Sequence, residues 1–280
     1  MGWPATLSLD YRTDELTGTP RTVVHDRHEG PLRILASLYP EAPTVCHNVL
    51  LHPPGGIVGG DTLAIDARLA PHSHALITTP GATRFYRSAG EPGTQTLRAQ
   101  LSEGARLEWL PLETIAHSGC IAYNSSRFEL APGAEMIGWD VLALGLPASG
   151  EGFERGSFTQ QIELPGQWLE RAAIDAVDRR LLDSPLGWAG HRVLGTLWFA
   201  AGSALDAARR DALLDAARAV CAGHELEGTA GASAAHTGIV VLRVLAPRVE
   251  PATNLLTRVW ARWRGEAWAL PACAPRVWRT

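Results

Sequence analysis

Leu101-Ser102-Glu103-Gly104-Ala105-Arg106-Leu107 decides how the fold is read, because its pattern returns at Leu130-Ala131-Pro132-Gly133-Ala134-Glu135-Met136. Each holds a leucine, two residues, Gly-Ala, one residue and an apolar side chain. Leu69-Ala70-Pro71-His72-Ser73-His74-Ala75-Leu76 and Leu164-Pro165-Gly166-Gln167-Trp168-Leu169 are looser relatives. Each reads as a strand end, a tight turn on glycine or proline, and a returning strand. Recurrence about every 30 residues predicts stacked two-strand units whose apolar faces are covered by their neighbours. The other reading open here is a set of separate hairpins with similar turns.

Outward from the repeats the chain keeps to short strands. Trp3, Ala5, Leu7 and Leu9 alternate on one face, and residues 32–38 and 45–51 are strand-sized apolar runs. Glu29-Gly30-Pro31 and Tyr39-Pro40-Glu41-Ala42-Pro43 separate them, and proline there marks turns or strand edges. From Gly187 the rhythm changes to strand and helix. Residues 191–200 and 238–245 read as buried strands. A helix over 204–222 follows the first, with Ser203 as N-cap and Asp206 three residues on. A second helix over 254–268 follows the other, with Thr253 as cap and Leu255, Leu256, Val259, Trp260 and Trp263 on adjoining faces. The expected fold is mainly β, with stacked antiparallel or solenoid-like strands and two C-terminal α-helices. Residues 1–280 read as a single domain, 1–186 mostly β and 187–280 a strand-helix subregion.

Bulk properties narrow the function classes. Of the residues, 46% are hydrophobic and 19% charged, and the formal net charge is −4, which argues against a nucleic-acid partner. All 25 basic residues are arginine and none is lysine, which excludes lysine Schiff-base chemistry. The N-terminus lacks a basic region followed by an apolar run, and no stretch reaches the roughly 18 apolar residues of a membrane span. The expected location is the cytoplasm, with no membrane partner. Cys46, Cys120, Cys221 and Cys273 are scattered without a Cys-x-x-Cys pair, as expected of reduced, mostly buried thiols.

The stretch His52-Pro53-Pro54-Gly55-Gly56-Ile57-Val58-Gly59-Gly60-Asp61 is a constrained glycine turn closed by a carboxylate. It cannot be a phosphate-binding P-loop without a lysine. The alternating Thr62-Leu63-Ala64-Ile65-Asp66-Ala67-Arg68-Leu69 after it is a strand pattern, whereas a dinucleotide fingerprint opens a helix. Gly59-Gly60-Asp61-Thr62-Leu63 is similar to one turn of a calcium-binding β-roll, a motif that works only in arrays.

Together with its surroundings the loop resembles the signature of the urease accessory protein family UreD, also called UreH. The likeness is carried by Leu50 to Asp61, Thr78-Thr79-Pro80, Phe85-Tyr86-Arg87-Ser88, Leu107-Glu108-Trp109-Leu110-Pro111-Leu112-Glu113-Thr114-Ile115 and Gly138-Trp139-Asp140-Val141, with Gly30-Pro31-Leu32-Arg33 and Tyr39-Pro40-Glu41 upstream. It covers about residues 30 to 170. The resemblance implies a non-catalytic assembly factor that bridges apo-urease to a complex of UreF and the GTPase UreG and helps to deliver nickel. Nickel would then be cargo in transit, with no tightly bound cofactor. By the same resemblance Asp61, Ser88, Glu113, Asp140 and Glu170 line or shape a nickel passage, and Gly55, Gly56, Gly59 and Gly60 form its structural loop. The chain departs from the family pattern at His117-Ser118-Gly119-Cys120 and at Leu35-Ala36-Ser37, which bears on fine partner specificity.

Read without the resemblance, the residues offer weaker sites. His72 and His74 would share one face of a strand and could ligate one ion, but they sit at a turn. His117 and Cys120 make a His-x-x-Cys pair in a loop-like stretch. His47 and His52 flank a buried-looking strand. There is no Gly-x-Ser-x-Gly elbow and no His-Glu-x-x-His. The alternative function is a stand-alone hydrolase using His117 and Cys120 or a carboxylate site. A third is a carbohydrate-binding β module, which requires exposed tryptophans.

Overall fold

The computed structural model describes residues 2–15 and 18–279. In chain order its elements are β1 (Pro4–Asp14), β2 (Arg21–Glu29), β3 (Arg33–Ile34), β4 (Val45–Leu51), β5 (Thr62–Leu69), β6 (His74–Thr78), β7 (Thr83–Phe85), β8 (Gly93–Leu101), β9 (Arg106–Leu110), β10 (Thr114–Ala116), β11 (Ile121–Leu130), β12 (Glu135–Leu144), β13 (Ser157–Leu164), β14 (Trp168–Asp175), α1 (Arg179–Asp183), β15 (Val193–Ala201), α2 (Ala207–Cys221), β16 (Ala230–His236), β17 (Ile239–Ala246) and α3 (Val249–Trp268). The strands form two facing sheets. One runs β14-β13-β11-β8-β5-β1-β2, the other β16-β17-β15-β12-β9-β6-β4-β3.

Successive strands alternate between the sheets, so each unit contributes β5 then β6, β8 then β9, or β11 then β12. The repeat marks the corner where the chain crosses from one sheet to the other. Its third position after the leucine is left-handed at all three corners: His72 (φ 61°), Gly104 (φ 67°) and Gly133 (φ 79°). Glycine reaches that region without a Cβ penalty, which explains the motif. Neighbouring corners are tied by the Ala70, Ser102 and Ala131 N–H groups donating to the Tyr11, Leu69 and Leu101 carbonyls, each at 2.9 Å. These are stacked units, not separate hairpins. Stacking makes the coil strands pair in parallel: β1 with β5, β5 with β8, β8 with β11, β4 with β6, and β6 with β9. Antiparallel pairs close the ends, as at β1–β2, β13–β14 and β12–β15–β17–β16.

Two cores result, giving three layers. Between the sheets pack Leu7, Leu9, Ile65, Leu101, Leu107, Phe128, Met136 and Trp198. Between the second sheet and the helices pack Leu76, Ile137, Trp139, Phe199, Leu213, Val259, Trp260 and Trp263. A sheet covered on both faces needs strands buried on both sides: β6 is buried throughout, and β12 at every residue but Glu135 and Asp140. The tryptophans of α3 are therefore core. Of the ten tryptophans, Trp3 is the one prominently exposed, at 60%, which leaves the carbohydrate-binding reading without its platform.

Several local expectations are corrected. Tyr11, not Trp3, completes the inward face of β1 with Ala5, Leu7 and Leu9. The run at 32–38 gives only the short β3, and Leu35 and Leu38 are exposed. Asp206, not Ser203, caps α2, accepting the Arg209 N–H at 2.8 Å, while the Ser203 hydroxyl accepts the Gly133 N–H. α3 starts at Val249, five residues early, and Thr253 lies inside it. Pro251 is tolerated because first-turn N–H groups have no helical acceptor to lose. Strands β2 and β16 and helix α1 were not evident in the sequence. No helix of the described residues is long and apolar enough to cross a membrane.

Candidate functional site

A polar lane crosses the otherwise apolar space between the sheets. On one sheet Gln95, Asn124 and Gln160 stand in register on β8, β11 and β13. On the facing sheet Asp140, Thr196 and Arg243 stand in register on β12, β15 and β17. The Gln95 amide donates to Asn124 Oδ1 at 3.3 Å. Gln160 is 8% exposed, and its Oε1 has no donor within reach, an unusual state for a buried acceptor. At the far edge Arg243 Nε donates to Glu170 Oε2 at 2.9 Å, and a second guanidinium N–H donates to the same oxygen.

Asp140 is the centre of this lane. Burial pushes its carboxyl up to about 6; the Gln160 amide opposes the shift and the Glu170 charge adds to it. The surface it retains faces a cavity of about 20 Å³ shared with Thr83, Gln95, Thr114 and Asn124, room for one water. Leu50, Thr79, Thr83 and Gln95 belong both to this cavity and to an outer cleft of about 290 Å³. That cleft opens beside His52, Gly55, Gly56 and Arg84. Cleft, cavity and lane thus adjoin from the glycine loop to the Glu170–Arg243 edge. Carboxylate and amide oxygens are in general ligands that hold divalent ions weakly enough to exchange them.

The glycine loop is laced to β7. Ile57 N–H donates to the Arg84 carbonyl at 2.7 Å, and Tyr86 N–H to the Ile57 carbonyl at 2.9 Å. A Cβ at Gly56 would meet the Tyr86 ring at 2.1 Å, and one at Gly59 would meet Ser88 Oγ at 2.4 Å. Close approach therefore requires these two glycines. Gly55 and Gly60 supply the positive φ of the turn. Asp61 accepts the Trp3 N–H at 2.8 Å and the Val58 N–H at 3.0 Å, so its carboxylate holds the loop. Ser88 accepts the Gly90 N–H and donates to the Glu91 carbonyl in a neighbouring turn. The Glu113 carbonyl accepts the Thr83 N–H at 2.9 Å. Of the five residues carried over, Asp140 and Glu170 lie in the lane, near enough for their charges to interact; Asp61, Ser88 and Glu113 stand in loops and line neither the cleft nor the cavity.

The histidine and thiol candidates come apart. His72 is an exposed corner residue, whereas His74 is buried against Glu108 at 2.8 Å. His117 stacks on Tyr86 with ring centroids 4.7 Å apart; burial lowers its pKa and nearby Arg84 adds to that. Cys120 is a core residue whose thiol donates to the Ser157 carbonyl, and burial pushes it up to about 12. A thiol held there is not a thiolate nucleophile, so the hydrolase reading loses its nucleophile at this position. His47 is a core residue bonded to Glu41 at 2.7 Å, while His52 lines the cleft. Among the described residues no three His, Cys, Asp or Glu side chains gather as a metal cage.

One charged cluster escaped sequence reasoning. Glu108 is fully buried, accepting from His74, from Trp260 Nε1 at 2.6 Å and from Arg264 Nε at 3.1 Å. Arg264 also reaches both Glu41 oxygens at 2.9 Å. Burial alone would raise Glu108; the His74 and Arg264 interactions outweigh it and hold the carboxyl below its usual value. The cluster clamps α3 to β4, β6 and β9. Its local signal was the carboxylate inside the apolar run Leu107-Glu108-Trp109-Leu110.

Fold and lane together define a helix-backed β-solenoid with a polar lane, centred on one aspartate, between its two sheets. Residues 4–279 match the family described as UreD urease accessory protein. The chain is similar to the urease accessory protein UreD of Leptothrix cholodnii, with 65% identity over 280 residues and full coverage of both chains. It is likewise similar to those of Variovorax paradoxus, 59% identical over 280 residues, and Methylibium petroleiphilum, 56% identical over 296, again with full coverage of both chains. The chain belongs to the UreD urease accessory protein family, and its role lies in urease maturation.

Proposed function

We propose that the chain is a non-catalytic scaffold of the cytoplasm that joins apo-urease to UreF and the GTPase UreG, and that nickel passes along its interior lane. The carrying observation is the group of Asp140, Gln160 and Glu170, three oxygen-bearing side chains between two apolar sheets. A buried acid with an orphaned amide oxygen beside it calls for water or a cation as its partner. An aspartate at about 6 is ionised near neutral pH yet takes a proton readily, which favours release over storage. Nickel here is cargo, not a resident cofactor. With no lysine for a phosphate loop, GTP hydrolysis falls to UreG. Exposed Trp3, Val58, Val177 and Leu186 in the loops supply apolar surface for partners.

The test is co-expression of Asp140→Asn with the urease genes. The variant is expected to co-purify with apo-urease and UreF at the wild-type level while urease nickel content falls about tenfold or more, the cost of losing one well-placed charge. Normal nickel loading by Asp140→Asn would overturn the passage. Failure of wild type to recover apo-urease would overturn the scaffold.

A further inference from the structure

We infer that Arg243 gates the lane, its guanidinium occupying the place on Glu170 that a passing divalent cation must take. The inference rests on the passage reading above but concerns a different residue and a different measurement.

Arg243 stands in register with Asp140 and Thr196 yet reaches across to the opposite sheet to bind Glu170. It is the lane's own cation. A guanidinium that donates twice to one carboxylate oxygen satisfies that oxygen and places positive charge where a metal ion would go. An arginine in an ion route is an electrostatic barrier to cations. The partners are unequal in freedom: the Glu170 side chain is 17% exposed and that of Arg243 49%. Arg243, resting over the Trp168 ring at 5.9 Å, is the partner that can turn outward without disturbing either sheet. When it does, Glu170 joins Asp140 as a second carboxylate, with the orphaned Gln160 Oε1 as a third oxygen. With Arg243 in place one Glu170 oxygen is taken and the carboxylate charge is neutralised, so the lane offers a cation one uncompensated carboxylate instead of two.

The experiment is calorimetric titration of the purified full-length chain with Ni²⁺. Arg243→Met keeps the aliphatic stem and removes the charge, and it is expected to bind Ni²⁺ about tenfold more tightly than wild type, as one added carboxylate ligand would give. Adding Glu170→Gln or Asp140→Asn to Arg243→Met should cancel the gain, a reversal that a merely structural role of Arg243 would not produce. Arg243→Lys, with a single-point donor, should fall between wild type and Arg243→Met, and it decides the matter alone should Arg243→Met not fold. Unchanged or weaker Ni²⁺ binding in the folded variant overturns the gate. So does a gain that survives Glu170→Gln. Neither outcome bears on the passage itself, which is read from urease loading by Asp140→Asn with Arg243 intact.

Discussion

At the scale of single residues, the buried Asp140 carboxyl costs the fold stability near neutral pH, and the proposed passage gives that cost a reason. The carboxyl lies at about 6 in the folded chain against an ordinary 3.8, so between those values the folded state binds the proton that the unfolded chain releases. Stability therefore falls as pH rises through this window, and the full penalty is present above about 6. Holding a proton across one pH unit is worth about 1.4 kcal/mol, which makes the penalty about 2 to 3 kcal/mol. Asparagine keeps the shape without the charge. Asp140→Asn should thus be more stable than wild type by about 2 kcal/mol at pH 8 and indistinguishable from it near pH 4, by denaturant unfolding at the two pH values. A variant that gains stability while losing nickel delivery would separate the two roles of the same carboxylate. Equal stability at pH 8 would mean that the interior solvates this charge well enough to make the lane an ordinary polar pocket.

Among the elements, α3 depends most on charge that is out of solvent's reach. Arg264 is fully buried between Glu108 and Glu41, and truncating one member of such a cluster leaves uncompensated charge, at a cost of about 3 to 5 kcal/mol. Arg264→Ala should lose about that much and release the helix, read as loss of near-UV circular dichroism from Trp260 and Trp263. Glu41 and Glu108 both lie below their usual values. Their contribution is present above the unfolded value of 4.5 and is lost as pH falls through the folded one, so acid should loosen α3 in the wild type but change Arg264→Ala less. The corners were legible because a left-handed φ is a local demand, met by Gly104 and Gly133 within one turn. The parallel pairing was not, since register between β5 and β8 is set across some 30 residues by packing that leaves no local trace. Asp140 and Glu170 were reached only through family likeness. The Glu108 cluster was missed because its partners lie 34 and 156 residues away, and Arg243 because a lone arginine in Val240-Val241-Leu242-Arg243-Val244 reads as an interruption of a buried strand.

In the whole molecule, stability should be graded rather than uniform, because each solenoid unit touches mainly its neighbours. β9 and β12 lie inside the helix-backed sheet, covered by the facing sheet on one side and by neighbouring strands on both edges. β2 and β16 are outermost strands with one free edge each, and β16, rich in alanine and glycine, has few buried side chains to hold it. Backbone hydrogen exchange should follow this order: slowest in β9, β12 and β15, faster in β5 and β8, fastest in β2 and β16. On the proposed passage this gradient gains a use. Asp140 is carried by β12, at the rigid centre, whereas Glu170 and Arg243 are carried by β14 and β17, nearer the open edge where local fluctuation is cheaper. A binding site in transit needs its coordinating group fixed and its barrier able to move, and the stacking order supplies both from one architecture. Exchange measured peptide by peptide across β12, β14 and β17 checks the argument. If β14 and β17 exchange as slowly as β12, the edge is as rigid as the centre and the gradient is absent; the turning of the Arg243 side chain, which needs neither sheet to open, is read from the Ni²⁺ titration instead.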